Sequence, residues 1–271
     1  MKIIVCIKQV PGSTEVKIDP ETNTLIREGI ENIINPFDTY AVEEGVRVKE
    51  RLTSDNNNNS GEGVEVISIS MGPPQAIEVL RESISVGVDR AILISDRAFA
   101  GADTLATSHT LARAIEKIGD YSLIICGKQS LDGDTGQVGP ELAQRLGVPF
   151  IGYVSAILEI DRKRMKIKRL MDDRYEIYET KLPCVISVVK DINIPRVPSL
   201  RGKLKAKNAE IPVWNRDYLE LDSKEVGLEG SATQVVKVFT PEVKHDVRIL
   251  DGSVEEQVEE LYKCLKNLNV V

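Results

Sequence analysis

The chain has 271 residues, 42% of them hydrophobic, and a formal net charge of −7. That supplies a real core for one large domain, or for one domain with an appendage. The acidic balance excludes a nucleic-acid groove, since nothing in it neutralises a phosphate backbone.

Lys2–Val10 reads as the first strand, with an apolar run from Ile3 to Ile7 that implies burial on both faces. Lys8 falls at its carboxyl end, where open α/β sheets bind ligands; it is either a ligand group or a solvated lysine. Val16–Ile18 and Leu25–Arg27 flank a turn-rich link and suggest a hairpin. Asn35-Pro36-Phe37-Asp38 opens a helix with Ala41, Val42, Gly45, Val46 and Val48 on one face, and Asn35 or Asp38 caps it. Thr53–Gly63 has no apolar residue and reads as a solvated insertion. Strands at Val64–Ser70 and Ala91–Ser95 alternate with helices at Gln75–Val86 and from Asp103 or Thr104 to Lys117. Repeated strand–helix units of this kind predict a doubly wound, mainly parallel, Rossmann-like sheet of the adenine-nucleotide-binding type.

Tyr121–Leu146 is the stretch that carries chemistry. The apolar run Ser122–Cys126 leads into a loop with Gly127, Gly133, Gly136 and Gly139, and then into a helix with Pro140 in its first turn. Free N–H groups and the positive end of the helix dipole make such a loop an anion site. It is not a P-loop, because Ser122 stands where the first glycine belongs and Gln129 where Ser or Thr should bind magnesium. No Gly-x-Gly-x-x-Gly occurs in it either. The residues alone leave two readings open: a diphosphate-binding turn, or an ordinary βα loop with Asp132 or Asp134 as a cap.

Tyr153–Ile160, Arg164–Met171 and Tyr175–Thr180 then read as an antiparallel β extension, and Pro183–Val189 as a strand that rejoins the main sheet. Trp214–Gly230 is polar and poorly periodic. Val235–Phe239 suggests a last strand. Val254–Leu268 is an amphipathic helix with a stripe of Val254, Val258, Leu261, Leu265 and Leu268. The expected division is an α/β nucleotide-binding domain over 1–205, with the antiparallel insertion at about 153–182, and a C-terminal arm over 206–271. The arm packs on another subunit or folds back on its own domain. With only His109 and His245 in the chain, zinc and histidine-triad chemistry are not expected. Cys6, Cys126, Cys184 and Cys264 form no Cys-x-x-Cys pair and fit a reduced, cytoplasmic protein. No apolar run approaches the ~18 residues of a membrane span, so no direct membrane insertion is expected.

In order, IIVCIKQV at Ile3–Val10, NPFDTYAVEEGVRVKE at Asn35–Glu50, SMGPPQA at Ser70–Ala76, GKQSLDGDTGQVGPELAQRLG at Gly127–Gly147 and PRVPSLRGKLKAK at Pro195–Lys207 resemble the beta (small) subunit of electron transfer flavoprotein. The resemblance covers nearly the whole chain. It implies a heterodimer with an FAD-bearing alpha subunit, on which the C-terminal arm packs. The beta site then holds AMP in simple carriers or a second FAD in electron-bifurcating ones. By position, Cys6, Asn35, Asp38 and Met71 form the adenine and ribose pocket. Ser130, Asp134, Thr135, Gly136, Gln137, Val138 and Gly139 form the phosphate loop. The segment Ser95–Ser108 resembles the bifurcating type, with Phe99, Ala100, Gly101, Asp103, Thr104 and Thr107 placed against a flavin ring or an incoming nicotinamide. The activity implied is oxidation of NADH, with electrons divided between ferredoxin or flavodoxin and, through the alpha-subunit FAD, an acyl-CoA-type or other flavin dehydrogenase. Leu200 takes the apolar anchor position of the family's dehydrogenase-docking loop. A further reading, an adenine-nucleotide-binding regulatory protein acting as a lone chain or homodimer, is disfavoured by the paired nucleotide and Leu200 loops.

Overall fold

The computed structural model describes residues 1–12, 17–18, 25–26, 32–54, 63–237, 247 and 249–270. A nine-stranded sheet runs through it. In chain order its strands are β1 (Lys2–Cys6), β6 (Glu65–Met71), β7 (Arg90–Ile94), β8 (Tyr121–Gly127), β9 (Phe150–Ile160), β10 (Arg164–Leu170), β11 (Tyr175–Lys181), β12 (Cys184–Val188) and β13 (Val213–Trp214). Two small antiparallel pairs stand apart: β2 (Gln9–Pro11) with β5 (Asn32–Ile34), and β3 (Lys17–Ile18) with β4 (Leu25–Ile26). The β3–β4 pair is the hairpin expected from the sequence; Val16 and Arg27 lie outside the described residues.

The order across the sheet is β11-β10-β9-β12-β8-β1-β6-β7-β13. From β13 to β9 every pairing is parallel, and only the β9–β10 and β10–β11 pairings, at one edge, are antiparallel. The antiparallel extension is therefore continuous with the main sheet. The helices are α1 (Pro36–Ser54), α2 (Ile77–Ser85), α3 (Thr104–Ile118), α4 (Val138–Leu146), α5 (Leu200–Asn208) and α6 (Val254–Asn267). Val42 and Val46 of α1, Val79 and Leu80 of α2 and Ala206 of α5 pack on one face with Ile3 and Val5 of β1. Leu111 and Ile115 of α3 and Leu142 and Ala143 of α4 pack on the other with Ile4. Burial on both faces accounts for the unbroken apolar runs of the central strands. This is the doubly wound α/β fold the sequence predicts.

Residues beyond 205 return to the sheet. Val213 and Trp214 add β13 alongside β7, and Leu219, Leu221 and Val226 join the core cluster under α3. Of the strand expected at Val235–Phe239, Val235–Lys237 has no regular structure, with Val235 and Val236 exposed, and 238–239 lie outside the described residues. Helix α6 forms as expected and buries none of its residues. Among the described residues no helix is long and apolar enough to cross a membrane.

Candidate nucleotide site

The chain leaves β1 toward β6 and β7 on one side, then returns in β8 on the other. The carboxyl ends of β1 and β8 thus flank the point where the winding reverses, which is where open α/β sheets leave a crevice for a ligand. Cys6 and Cys126 are neighbours in the register there and are both buried. Contact with Cys126, followed by burial, holds the Cys6 thiol well above its ordinary range. It is a neutral, apolar floor rather than a nucleophile.

One wall is the start of α1. The β2–β5 pair brings the chain back so that Asn35 N donates to Lys8 O at 2.8 Å. Asn35 takes the cap position through its backbone, accepting from Asp38 N at 2.8 Å and Thr39 N at 3.3 Å. Its buried amide reaches instead across the crevice. Nδ2 donates to Gln129 O at 2.9 Å, and Oδ1 accepts from Leu131 N at 3.0 Å. Asn35 thereby ties α1 to the loop after β8. Gly127 permits the approach: a Cβ there would lie 2.8 Å from the Phe37 carbonyl carbon.

Asp38 is buried one turn into α1, and its Oδ2 accepts from Lys8 N at 2.7 Å. Burial pushes its carboxyl up to about 7, against the lowering effect of hydrogen bonds from Asn35 and from the backbone of Lys8 and Gly127. A raised acid keeps a proton in the folded state that the unfolded chain has released. Its contribution to folding stability is therefore full below about pH 4 and is lost as pH rises through about 7. The difference is at most roughly 4 kcal/mol. The expected result is that Asp38→Asn abolishes this contribution. In urea unfolding of the nucleotide-free chain, the midpoint of the variant should fall less than that of the parent between about pH 5 and about pH 8. Parallel pH profiles would mean that Asp38 does not titrate in this window.

The opposite wall is the loop from Lys128 to Gln137. Lys8 Nζ binds Asp132 at 2.7 Å, so that lysine holds the loop rather than standing free. Asp134 sits in the left-handed region at φ 53°, accepts a hydrogen bond from the Gln129 amide, and donates its N–H to Ser130 O. Gly136 is left-handed at φ 63°. Residues 131–137 are exposed, and Gly139 is buried against the Phe150 ring. No side chain caps α4. Its first N–H groups therefore have no intrahelical partners, and Glu141 Oε2 is buried in the first turn with no hydrogen bond. Neither Asp132 nor Asp134 caps α4, so the ordinary-cap reading of these aspartates does not hold.

The N-terminus of α3 stands beside that of α4. Thr104 Oγ1 donates to Gln137 Oε1 at 2.9 Å and lies 3.1 Å from Glu141 Oε1. Arg145 fastens the two helices, binding Ser108 Oγ, Leu105 O and His109 Nδ1. Of the other residues singled out, Ala100 and Gly101 are exposed and Met71 and Thr107 half-buried, whereas Phe99 is a buried core residue under the loop. Asp103 caps α3 through Ala106 N at 3.0 Å and also accepts from Thr233 N and Oγ1.

Sequence reasoning missed what holds Ser95–Thr104 in place. Asp96 accepts from Arg216 N at 3.1 Å, Leu228 N donates to Ala100 O at 3.0 Å, and Asp103 N donates to Ser231 Oγ at 2.8 Å. The segment read as polar and aperiodic is thus the outer brace of the loop. Gly227, at φ 58°, and Gly230 were its usable signals, because a side chain at Gly227 would overlap Ala98 O and one at Gly230 the Glu225 backbone.

The residues fit a nucleotide: an apolar floor, a buried amide and carboxyl at one wall, and an uncapped helix start with a left-handed glycine at the other. A family model described as the electron transfer flavoprotein domain matches residues 22–219. The electron transfer flavoprotein subunit beta of Thermoanaerobacterium thermosaccharolyticum is 44% identical over 272 residues, covering 100% of both chains. The caffeyl-CoA reductase-Etf complex subunit CarD of Acetobacterium woodii is 43% identical over 272 residues, with the same full coverage. Protein FixA of Azotobacter vinelandii is 42% identical over 247 residues, covering 89% of this chain and 84% of its own. The chain belongs to the electron transfer flavoprotein family, as one of its beta subunits.

Proposed function

We propose that this beta subunit pairs with an alpha subunit and binds FAD in the crevice between β1 and β8. The activity is oxidation of NADH, with electrons divided between a low-potential acceptor, ferredoxin or flavodoxin, and the alpha-subunit FAD that serves a partner dehydrogenase. FAD, when bound, supplies the hydride and electron chemistry that no side chain here can perform. The observation that carries the reading is the hydrogen bond from Thr104 Oγ1 to Gln137 Oε1, which sets the helix start after the small-residue loop 98–104 beside the helix start after the glycine loop.

In this reading the N–H groups of Thr135–Gly139 hold the diphosphate, with Ser130, Asp134 and Gly136 shaping the loop. Cys6, Asn35, Asp38 and Met71 receive the adenine and ribose. Ala100, Gly101, Asp103, Thr104 and Thr107 line the ring side, above the buried Phe99. Segment 213–231 keeps that side rigid and excludes water from beneath it. The name of the Acetobacterium relative, which ties it to a caffeyl-CoA reductase, supports a CoA-ester dehydrogenase as the partner class. Anaerobic titration of the heterodimer with NADH tests the reading. Bleaching of the flavin absorbance is expected, and an unreduced flavin would contradict it.

Leu200 is 78% exposed at the first turn of α5, among the cations Arg201, Lys203 and Lys207. An exposed leucine at the start of a helix that follows a proline-bearing strap suits an anchor. Leu200→Ala is expected to slow electron delivery to the dehydrogenase by about 10-fold or more and to leave NADH oxidation with artificial acceptors unchanged. Equal loss in both assays would make Leu200 structural.

A further inference from the structure

The docking segment is held at its two ends by different means. At its carboxyl end, α5 is seated on α2. Gly202 sits so close to Ser85 O that a side chain would overlap it. Arg81 Nη1 donates to Ala206 O at 2.6 Å, and Lys205 Nζ to Val88 O at 3.0 Å. At its amino end the segment crosses α1 as a strap, and here the contacts are polar. Arg196 Nε donates to Glu43 Oε2 at 2.8 Å, and its Nη1 and Nη2 donate to Glu50 at 2.7 and 2.9 Å. The Arg196 backbone N–H adds a bond to Glu43 at 3.2 Å. Three residues back, Asn193 Nδ2 donates to Tyr40 O and to Glu44 Oε2, both at 3.0 Å.

Packing is incomplete at this end. A cavity of ≈ 110 Å³ lies beneath the strap, lined by Ile34, Val42, Ser83, Val86, Pro195 and Pro198. On the outer side Ile194 is 83% and Val197 87% exposed. With this gap beneath it and Ile194 and Val197 exposed, the strap's path over α1 depends on these hydrogen bonds as well as on half-buried Ile192, Pro195 and Pro198. Glu43 is buried, so its charge needs the guanidinium. Burial pushes Glu43 up, but bonds from Arg196 and Arg47 outweigh it and hold the carboxyl below its usual range.

We propose that Arg196, clasped between Glu43 and Glu50, is a positioning residue for partner docking. It fixes the strap so that Leu200 is presented in one conformation and the partner does not bear the cost of ordering it. The inference rests on the reading of Leu200 as the docking anchor.

The test uses the heterodimer, with an acyl-CoA dehydrogenase and its acyl-CoA as the electron source. Arg196→Gln is expected to speed amide hydrogen exchange over residues 194–200 by at least about 10-fold. It should also raise the KM for the heterodimer about 10-fold while kcat stays within about twofold. Nucleotide content should be unchanged. Arg196→Lys, with one ammonium in place of the fork, should fall between the two. Glu50→Gln removes one arm at an exposed position and should give a smaller shift of the same kind. Unchanged exchange and KM in Arg196→Gln would overturn the proposal. So would faster exchange with an unchanged KM while Leu200→Ala raises it, because the clasp would then not serve docking. If Leu200→Ala also leaves KM unchanged, the docking reading of this segment fails, and the positioning role fails with it.

Discussion

Gly136→Trp is expected to strip nucleotide from the beta site while the fold is retained. Gly136 is left-handed, and its neighbours from Leu131 to Gln137 are exposed. A side chain there costs roughly 1–2 kcal/mol of backbone strain, well below the stability of a domain this size. The binding cost is larger, because an indole would stand where a ligand must approach the N–H groups of the α4 start. Losing even one such hydrogen bond weakens binding by roughly 1–3 kcal/mol, and the indole blocks several at once. Circular dichroism of the variant should match the parent, and acid extraction should release no beta-site nucleotide. Unchanged nucleotide content would refute the phosphate-loop assignment.

Ending the chain after Gly252 is expected to abolish the stable heterodimer. Helix α6 is formed and well capped: Ser253 and Glu256 make a reciprocal capping box, with Ser253 N donating to Glu256 at 2.8 Å. Yet it buries no residue, and Val254, Val258, Leu261 and Leu268 are largely exposed. A single helix of this length is marginal in water, so its stripe needs a partner. Full burial of each such side chain contributes roughly 1.5–3 kcal/mol, and ordering and association offset part of the sum. A net loss on the order of a thousandfold in affinity is expected, which corresponds to about 4 kcal/mol. Analytical ultracentrifugation with the alpha subunit would measure it. Heterodimer of undiminished affinity would mean that the helix does not carry the interface.

The fold was legible where a strand is buried on both faces. Ile3–Ile7 and Ser122–Cys126 announce central parallel strands, and the alternation of strand and helix units between them dictates the winding. The site was legible where backbone chemistry leaves a mark on composition, as in the glycines after β8 and the Asn-Pro opening of α1. It was not legible where the work is done by pairings distant in sequence. Asn35 reaches Leu131, Arg196 reaches Glu43, and Ser231 braces Asp103. No local period records such contacts. The segment from Val213 to Val226 was opaque for a related reason. A two-residue edge strand is too short to alternate, and Leu219, Leu221 and Val226 enter the core from turns.

The contact between the walls also explains why Lys8 looked ambiguous. It could have met a ligand or solvent, and it meets Asp132. In the reading proposed for this site, that pairing offsets the repulsion an unpaired Asp132 would present to an anion, and the N–H groups of 135–139 would bind it.

The measurement that bears most directly on the function proposed here is the FAD and AMP content of the heterodimer after copurification with its alpha subunit, by acid extraction and chromatography. Two FAD and no AMP per heterodimer is the expected result, and it makes the loop before α3 the place to look for NADH. One FAD with one AMP would contradict it and make this chain the structural nucleotide holder of a simple electron carrier.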